Sequence, residues 1–238
     1  MRKVIVLGAT SGIGREVARL YAAQGCAVGI TGRREELLAE LQSECLERFV
    51  VSAFDISVVS SVERYLDDLT ERLGGLDLLI LSSGYGKRNS ELASETEQLT
   101  IQTDVAGFTA VVDWAFKYFA QQNHGHIVAV SSIAGLRGIR YAPAYSASKG
   151  YNMLYLQSLR QLAHYQKNNI DITDIRPGFV DTQMAQGSGV FWSAPLSKAA
   201  VQIVKAVDKK RKIVYITRRW RFVAFAIRLI PRIIFERL

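Results

Sequence analysis

The feature that most constrains this chain is a buried strand followed at once by a glycine-rich turn and a helix. Val4-Ile5-Val6-Leu7 is a continuous apolar run, which is typical of a strand covered on both faces. Gly8-Ala9-Thr10-Ser11-Gly12-Ile13-Gly14 follows, and residues 15–24 then have the pattern of a helix that ends at Gly25. Such a turn lets backbone N–H groups and the positive end of the helix dipole approach a phosphate. It predicts a dinucleotide site, although the spacing is G-x-x-x-G-x-G and not G-x-G-x-x-G, and a purely structural turn is the alternative.

Short apolar runs and helical patterns alternate along the rest of the chain. Six further runs predict strands at residues 27–31, 49–54, 76–81, 127–130, 170–175 and 212–216. Helices are predicted between them, over residues 60–73, 98–122 and 145–167 and from about Glu35 and Lys198. Strands separated by helices form right-handed parallel crossovers. We therefore expect an α/β protein with a Rossmann-like, doubly wound, mostly parallel seven-stranded sheet and helices on both faces.

Glycines and polar side chains follow the ends of these strands. They are residues 8–14, Arg33, Asp55, Ser83-Gly84, Ser132 and Pro177-Gly178. The carboxyl ends of parallel strands meet at one edge of a sheet, and ligands bind outside that edge. These groups are therefore predicted to converge on one site.

Two arginines stand where the second strand ends. A dinucleotide fold that prefers NAD often has an acid at this point to hold the ribose 2′-hydroxyl, whereas this chain has Arg33 and Arg34. They precede a helix, where positive charge is mildly unfavourable against the dipole. A 2′-phosphate would account for them, because arginine pairs with phosphate in a fork geometry. The pair predicts NADP in preference to NAD, and a solvated surface pair is the alternative.

Tyr145-Ser146-Ala147-Ser148-Lys149 places a phenol and an ammonium four residues apart. In a helix, Tyr145 and Lys149 would lie on one face, about one turn apart. An ammonium near a phenol favours the phenolate, and a tyrosine tuned in this way can exchange a proton near neutral pH. Any helix can carry this spacing, so the pair gains its meaning from the glycine turn and the strand ends around it.

With these motifs in place, the chain resembles the short-chain dehydrogenase/reductase family in its single-domain form, over roughly residues 3–216. Three motifs carry the resemblance in this order: Gly8-x-x-x-Gly12-x-Gly14 for the cofactor turn, Ser132 with Tyr145-x-x-x-Lys149 for the catalytic groups, and Arg176-Pro177-Gly178 with Thr182 for the segment along the nicotinamide.

The resemblance implies an NADP(H)-dependent enzyme that moves a hydride between the nicotinamide and a carbonyl or secondary alcohol. It implies that Tyr145 protonates the oxygen during reduction, that Lys149 holds the nicotinamide ribose, and that Ser132 hydrogen-bonds the substrate oxygen. The other cofactor contacts that it implies are Thr10, Ser11 and Ile13 in the turn, Asp55 and Ile56 at the adenine, Ser83 and Gly84 at the adjoining ribose, and Pro177, Gly178, Val180 and Thr182 at the nicotinamide. Family members usually pair helices with a second subunit, which implies a homodimer or homotetramer.

Two positions depart from the family pattern. Ser82-Ser83-Gly84 replaces the usual Asn-Ala-Gly, and we expect this to change local sheet bonding more than chemistry. Asp104 stands where the family usually has an asparagine that supports a water-mediated proton relay to the lysine. A carboxylate there could still hold water and Lys149, so Asp104 is included in the predicted catalytic set, and Asp104→Asn is expected to leave the enzyme active.

The cysteines and the N-terminus favour a reducing compartment. Cys26 and Cys45 cannot build a disulfide framework, and neither lies in a CxxC motif. Residues 4–7 are too few for the apolar core of a signal peptide. We expect a cytoplasmic protein. No metal site is expected, since none of the histidines lies beside a cysteine or carboxylate cluster.

The basic charge of the chain is confined to its C-terminal end. The net charge is +8, but residues 1–204 hold 19 Lys and Arg against 20 Asp and Glu, whereas residues 205–238 hold 11 against 2. The body is therefore neutral, and we expect no nucleic-acid binding, because the basic residues of the tail alternate with apolar ones.

Residues 217–238 form a tail beyond the predicted catalytic domain of residues 1–216. Its arginines at positions 218, 221, 228 and 232 have helical spacing, and Phe222, Phe225, Leu229 and Ile233 form an apolar side. Pro231 should bend or end the helix. The pattern suits peripheral contact with anionic lipid and is too short in apolar residues to span a bilayer. A helix packed on its own domain or on a sister subunit, or a lid over the site, are the alternatives.

The substrate is the least determined feature. The segment 183–197 contains Phe191, Trp192 and Pro195, and we expect it to cover an apolar, lipid-like carbonyl compound. A competing hypothesis is a nucleotide-bound scaffold or sensor that docks on membrane through the tail. Intact Ser132, Tyr145 and Lys149 argue against it, because a scaffold has no need of all three groups.

Overall fold

The computed structural model describes residues 1–182 and 191–237, and its centre is one twisted parallel sheet. The strands are β1 (Lys3–Leu7), β2 (Ala27–Gly32), β3 (Phe49–Ala53), β4 (Leu78–Leu81), β5 (Gly125–Val130), β6 (Ile170–Pro177) and β7 (Ile213–Ile216). Within these residues the order is β3-β2-β1-β4-β5-β6-β7, and every pairing is parallel. This confirms the predicted doubly wound, Rossmann-like fold. The order reverses between β1 and β4, where such sheets open a crevice for a ligand.

Helices cover both faces of the sheet. They are α1 (Gly12–Ala23), α2 (Glu35–Ser43), α3 (Val59–Leu73), α4 (Ser94–Ile101), α5 (Phe108–Gln122), α6 (Pro143–Tyr165), α7 (Leu196–Asp208), α8 (Trp220–Leu229) and α9 (Arg232–Phe235). The helix predicted at residues 98–122 begins earlier and is divided, because a π-helical segment, Gln102–Gly107, separates α4 from α5. A Cβ on Gly107 would lie 2.5 Å from the Ile56 carbonyl oxygen, so this segment packs directly on the turn that follows β3.

The apolar run of β1 contributes to two separate cores. Val4 and Val6 pack with α1 and α7 on one face, whereas Ile5 and Leu7 pack with α3 and α5 on the other. All four side chains are fully buried. Burial of both alternating sets explains why the run has no polar residue, as expected for a central parallel strand.

The chain beyond β7 folds back over the carboxyl edge of the sheet. Trp220 and Ala224 on α8 are each 1% exposed, and α8 packs against β7 and the short 3₁₀ turn Ile133–Leu136. Pro231 separates α8 from α9, as predicted from its missing N–H. Among the described residues, no helix is long and apolar enough to cross a bilayer.

Candidate functional site

A cleft of about 1370 Å³ opens along the carboxyl ends of the strands. Every predicted catalytic or cofactor-binding residue lines it except Gly14 and Asp104. Those two lie directly beneath the lining, and their contacts are described below. The volume exceeds the usual range for a single drug-sized ligand, so the cleft has room for a dinucleotide and a substrate together.

The glycine turn lies at the floor of this cleft. Gly8 and Gly12 have φ of +84° and +57°, which side chains rarely adopt. A Cβ on Gly14 would lie 2.3 Å from the Gly8 carbonyl oxygen, so Gly14 lets α1 pack closely on β1 rather than facing a ligand. The turn is therefore a backbone surface at a helix N-terminus, the arrangement that receives a pyrophosphate.

Arg34 is drawn onto the glycine turn. Its Nη2 donates to Thr10 Oγ1 at 2.7 Å and to Ser11 Oγ at 2.8 Å. Arg33 remains more open, with 59% of its side chain exposed, and its Nη1 lies 3.6 Å from Asp55 Oδ2. Two guanidinium groups and two hydroxyls thus surround the end of β2 beside the turn, and this donor set is chemically suited to a phosphate.

Lys149 is buried at the other end of the cleft as one half of an ion pair. Its Nζ lies 3.0 Å from Asp104 Oδ2, with 5% and 0% of the two side chains exposed. Burial by itself would lower the pKa of Lys149, but the Asp104 carboxylate outweighs it and the pKa is raised. The lysine is therefore an ammonium at neutral pH.

Asp104 is positioned by the π-helical segment that carries it. Its Oδ1 accepts a hydrogen bond from the Tyr85 backbone N–H at 2.7 Å, while Oδ2 faces Lys149. A Cβ on Gly84 would lie 3.1 Å from Lys149 Nζ and 3.3 Å from Asp104 Oδ1. Glycine after β4 thus leaves the space that the ion pair occupies.

The Tyr145 ring lies close to this ammonium. Lys149 Nζ is 5.5 Å from the ring centroid. A Cβ on Gly86 would lie 2.7 Å from the ring, so the loop after β4 packs across it. Glu97 Oε2 accepts the Ala144 N–H at 3.1 Å and so anchors the start of α6, a contact between separate helices that no local sequence pattern indicates.

Ser132 begins the 3₁₀ turn after β5 and lines the cleft. Its Oγ accepts the Ala134 N–H at 3.1 Å, which leaves its hydroxyl proton to be donated elsewhere. Behind it, Ser131 Oγ donates to Asp174 Oδ1 at 2.5 Å, and Arg176 Nη2 lies 2.6 Å from Asp174 Oδ2. This buried network ties the end of β5 to β6.

Sequence reasoning missed the apolar side of the cleft. Phe179, Trp220, Val223, Ile227 and Phe235 line it, and all but Phe179 come from the tail. The apolar content of the tail was the only sign of them in the sequence. The sequence pattern places the apolar side of the tail on Phe222, Phe225, Leu229 and Ile233 instead. Only the fold shows which side of α8 turns inward.

The predicted covering loop lies partly outside the described residues, namely at 183–190. Within the described part, Phe191 lines the cleft, with its ring centroid 5.6 Å from Phe179 and 5.2 Å from Trp220. The ring centroids of Trp192 and Phe191 lie 5.9 Å apart, and Pro195 directly precedes α7.

Comparison with known proteins shows which family the chain belongs to. The family model for short chain dehydrogenases matches residues 2–189. An uncharacterized oxidoreductase of Mycobacterium tuberculosis is 31% identical over 219 residues, covering 88% of this chain and 85% of that protein. Dehydrogenase/reductase SDR family member 7B of Mus musculus is 30% identical over 237 residues, covering 90% of this chain and 72% of that protein.

Solved structures share the fold. A short-chain dehydrogenase from Streptomyces avermitilis has a TM-score of 0.80 at 21% identity, covering 90% of this chain and 88% of its own. The closed form of serine dehydrogenase complexed with NADP+ has a TM-score of 0.80 at 23% identity, covering 90% of this chain and 94% of its own. The chain therefore belongs to the short-chain dehydrogenase family and is an oxidoreductase of that family.

Proposed function

We propose that the protein is an NADP(H)-dependent oxidoreductase that interconverts a carbonyl group and a secondary alcohol on an apolar substrate. The observation that carries this proposal is the buried Lys149 ammonium, held by Asp104 with its Nζ 5.5 Å from the Tyr145 ring, at one end of a cleft whose floor is a glycine turn. A fixed positive charge beside a phenol is the arrangement that favours proton transfer at the phenol oxygen.

The cofactor would bind along the whole floor of the cleft. The glycine turn would receive its pyrophosphate, Asp55 and Ile56 would border the adenine, and residues 177–182 would lie along the nicotinamide. When bound, the nicotinamide supplies or accepts the hydride. The protein's own part is to bind and orient it and to move the proton.

In the reducing direction, the substrate carbonyl carbon gains the hydride and its oxygen takes a proton from Tyr145 Oη. The C=O π bond and the Tyr145 O–H bond break, a C–H bond and a new O–H bond form, and a phenolate remains on Tyr145. The Lys149 ammonium stabilises that phenolate electrostatically, and Ser132 donates a hydrogen bond to the substrate oxygen. Asp104 acts through Lys149 as a positioning residue, because it touches the ammonium rather than the reacting atoms.

A preference for NADP over NAD is supported by the end of β2. Arg34, Thr10 and Ser11 form one hydrogen-bonded group beside the glycine turn, and Arg33 lies next to it. A 2′-phosphate would replace the contacts of Arg34 with the two hydroxyls by charge-assisted hydrogen bonds. A 2′-hydroxyl would leave both guanidinium groups without an anionic ligand partner.

An apolar substrate is supported by the aromatic wall formed by Phe179, Phe191 and Trp220. We further propose a homodimer or homotetramer. Leu154 and Tyr165 on α6 are 67% and 84% exposed, which supports a partner on that helix. Free Cys26 and Cys45 fit the cytoplasmic location proposed here.

The test is NADPH oxidation by the full-length protein across ketones, 3-oxoacyl thioesters, sterols and keto-sugars. We expect turnover with apolar members and its loss in Tyr145→Phe. NADPH binding, followed by cofactor fluorescence, should be largely unchanged in that variant. If the panel yields no oxidation while NADPH binds, the competing hypothesis of a nucleotide-bound scaffold or sensor replaces the enzymatic one.

A further inference from the structure

The tail has a second, outward surface made of apolar and basic side chains. We define the outer face as Arg221, Phe222, Phe225, Arg228, Leu229 and Ile233. Its four apolar members are 77%, 65%, 65% and 70% exposed, in contrast to Trp220 and Ala224 on the opposite side of α8, at 1% each. Phe222, Phe225 and Leu229 follow one side of α8 at spacings of three and four residues, and Ile233 follows on α9. Monomeric soluble proteins rarely expose large apolar side chains grouped in this way.

The charge around this patch identifies its occupant. Residues 217–237 contain six arginines and one acid, Glu236. That acid is already paired, because Arg232 Nε lies 2.5 Å from its Oε1. Arginines interleaved with phenylalanine, leucine and isoleucine on an amphipathic helix match the chemistry of an anionic lipid headgroup layer above acyl chains.

The same charge argues against a second copy of this chain as the occupant. A two-fold interface places the same patch against itself, so Arg221 and Arg228 would face the same two positive charges on the other copy. An anionic surface gains from each of those charges instead.

The fold also holds the outer face in a fixed place. Arg137 Nη2 donates to the carbonyl oxygens of Arg228 at 3.1 Å and Ile230 at 2.8 Å, at the C-terminal end of α8, where helix carbonyls have no partner within the helix. Its guanidinium carbon lies 5.3 Å from the Phe235 ring centroid. Arg137 therefore fastens both α8 and α9 to the turn that follows Ser132.

The inner side of the same helix borders the substrate end of the cleft. Val223 and Ile227 line the cleft, whereas Phe222 and Phe225 do not. One helix therefore separates the cleft from whatever covers the outer face. A surface docked there would lie one helix diameter, about 10 Å, from the cleft.

We propose that the outer face docks on a bilayer containing anionic lipid, and that an apolar carbonyl substrate enters the cleft from that bilayer. The docking is independent of catalysis. The substrate route rests on the proposed function.

The docking is tested by sedimentation of the full-length protein with vesicles of phosphatidylcholine alone or with about 30% phosphatidylserine. We expect binding to the anionic vesicles, weakened by raising salt from about 0.1 to about 0.5 M, and little binding to the neutral ones. The double variant Phe222→Ser/Phe225→Ser should bind roughly a hundredfold more weakly, about tenfold for each ring. Arg221→Gln/Arg228→Gln should weaken binding and remove part of its salt dependence.

Matched controls lie far from the tail. Leu46→Ser removes an apolar side chain that is 71% exposed elsewhere, and Lys117→Gln/Lys167→Gln removes the same charge from exposed positions on α5 and after the end of α6. Both should bind vesicles as the parent does. Equal binding by the parent and the phenylalanine variant would overturn the proposal. So would loss of a dimer in that variant without vesicle binding by the parent, which would make a second copy the occupant.

The substrate route is tested with two ketones of similar reactivity, one water-soluble and one carried in the anionic vesicles. The phenylalanine variant should reduce the soluble ketone at the parental rate and the vesicle-borne ketone several-fold more slowly. Equal rates on both would overturn the route while leaving docking to the sedimentation result. Absence of all NADPH oxidation would count against the proposed function alone.

Discussion

Replacing Asp104 with asparagine changes one charge in the buried Lys149–Asp104 pair and little else. The pair is 3.0 Å long, and neither side chain is more than 5% exposed. Removing one partner of a buried pair leaves the other charge without compensation, at a cost of about 3–5 kcal/mol. An asparagine oxygen can still accept a hydrogen bond from Tyr85 N–H or from Lys149. We therefore expect Asp104→Asn to lose less than that range and to keep turnover, whereas Asp104→Leu should lose the full range.

The pH dependence of stability shows whether the unpaired Lys149 charge causes the stability loss in Asp104→Asn. In the parent the pKa of Lys149 is raised, so its contribution is fully present below the unfolded value of about 10.4 and is lost only as pH rises through the folded value. With the carboxylate gone, burial is the largest remaining influence on Lys149 and lowers its pKa. Between the folded and unfolded pKa values of Lys149, the unfolded state of Asp104→Asn then binds more protons than the folded state. The free energy of unfolding of this variant should therefore rise with pH by up to about 1.4 kcal/mol per pH unit.

The assay is urea unfolding of parent and Asp104→Asn at several pH values between 7 and about 10. The sign of the slope of unfolding free energy against pH is compared between the two proteins. The Lys149 contribution to the difference between the two proteins should grow smaller as pH rises. The alkaline limb of the pH–rate profile of Asp104→Asn should also move to lower pH. A difference that stays constant with pH would refute the ion-pair reasoning, and an inactive but folded Asp104→Asn would show that the carboxylate itself is needed.

Three further perturbations test other parts of the molecule. Arg33→Ala should weaken NADPH binding far more than NADH binding, and equal losses measured by titration would contradict the proposed 2′-phosphate contact. Trp220→Ala should lower the free energy of unfolding by about 3–5 kcal/mol, since the indole is 1% exposed and packs on Phe179, and a loss under about 1 kcal/mol would contradict the close packing of α8. Burial lowers the pKa of His126 to about 4, so the parent should lose about 3 kcal/mol as pH falls from about 6.5 to about 4, and this loss should be reduced in His126→Gln when both are followed by urea unfolding.

The outward phenylalanines of the tail and the inward tryptophan have different consequences for stability. Phe222 is 77% exposed, so its replacement removes little buried area, whereas Trp220 fills the space above Gly178, where a Cβ would lie 2.1 Å from the indole. Stability and vesicle binding should therefore respond to different residues of the same helix.

The sequence by itself determined the sheet and the place of the site. In β1, Val4 and Val6 face one core and Ile5 and Leu7 the other, so a strand with no polar position can be read as buried on both faces. Parallel strands joined by helices bring their carboxyl ends to one edge, which is why Arg33, Ser132 and the glycine turn could be expected to meet. Both inferences use only the local spacing of apolar residues and the rules for connecting strands, and both can be read from the order of residues along the chain.

Only the tertiary structure decided the partners of individual side chains. The π-helical segment that presents Asp104 to Lys149 has no sequence period of its own, and Arg34 meets Thr10 only when β2 lies beside β1. The tail pattern shows an arginine side and an apolar side. It does not show that a third side of α8, the one with Trp220, turns inward, because that depends on packing against Phe179 and the turn after Ser132. Such contacts join residues far apart in sequence, so their energies depend on packing distances that no local pattern records.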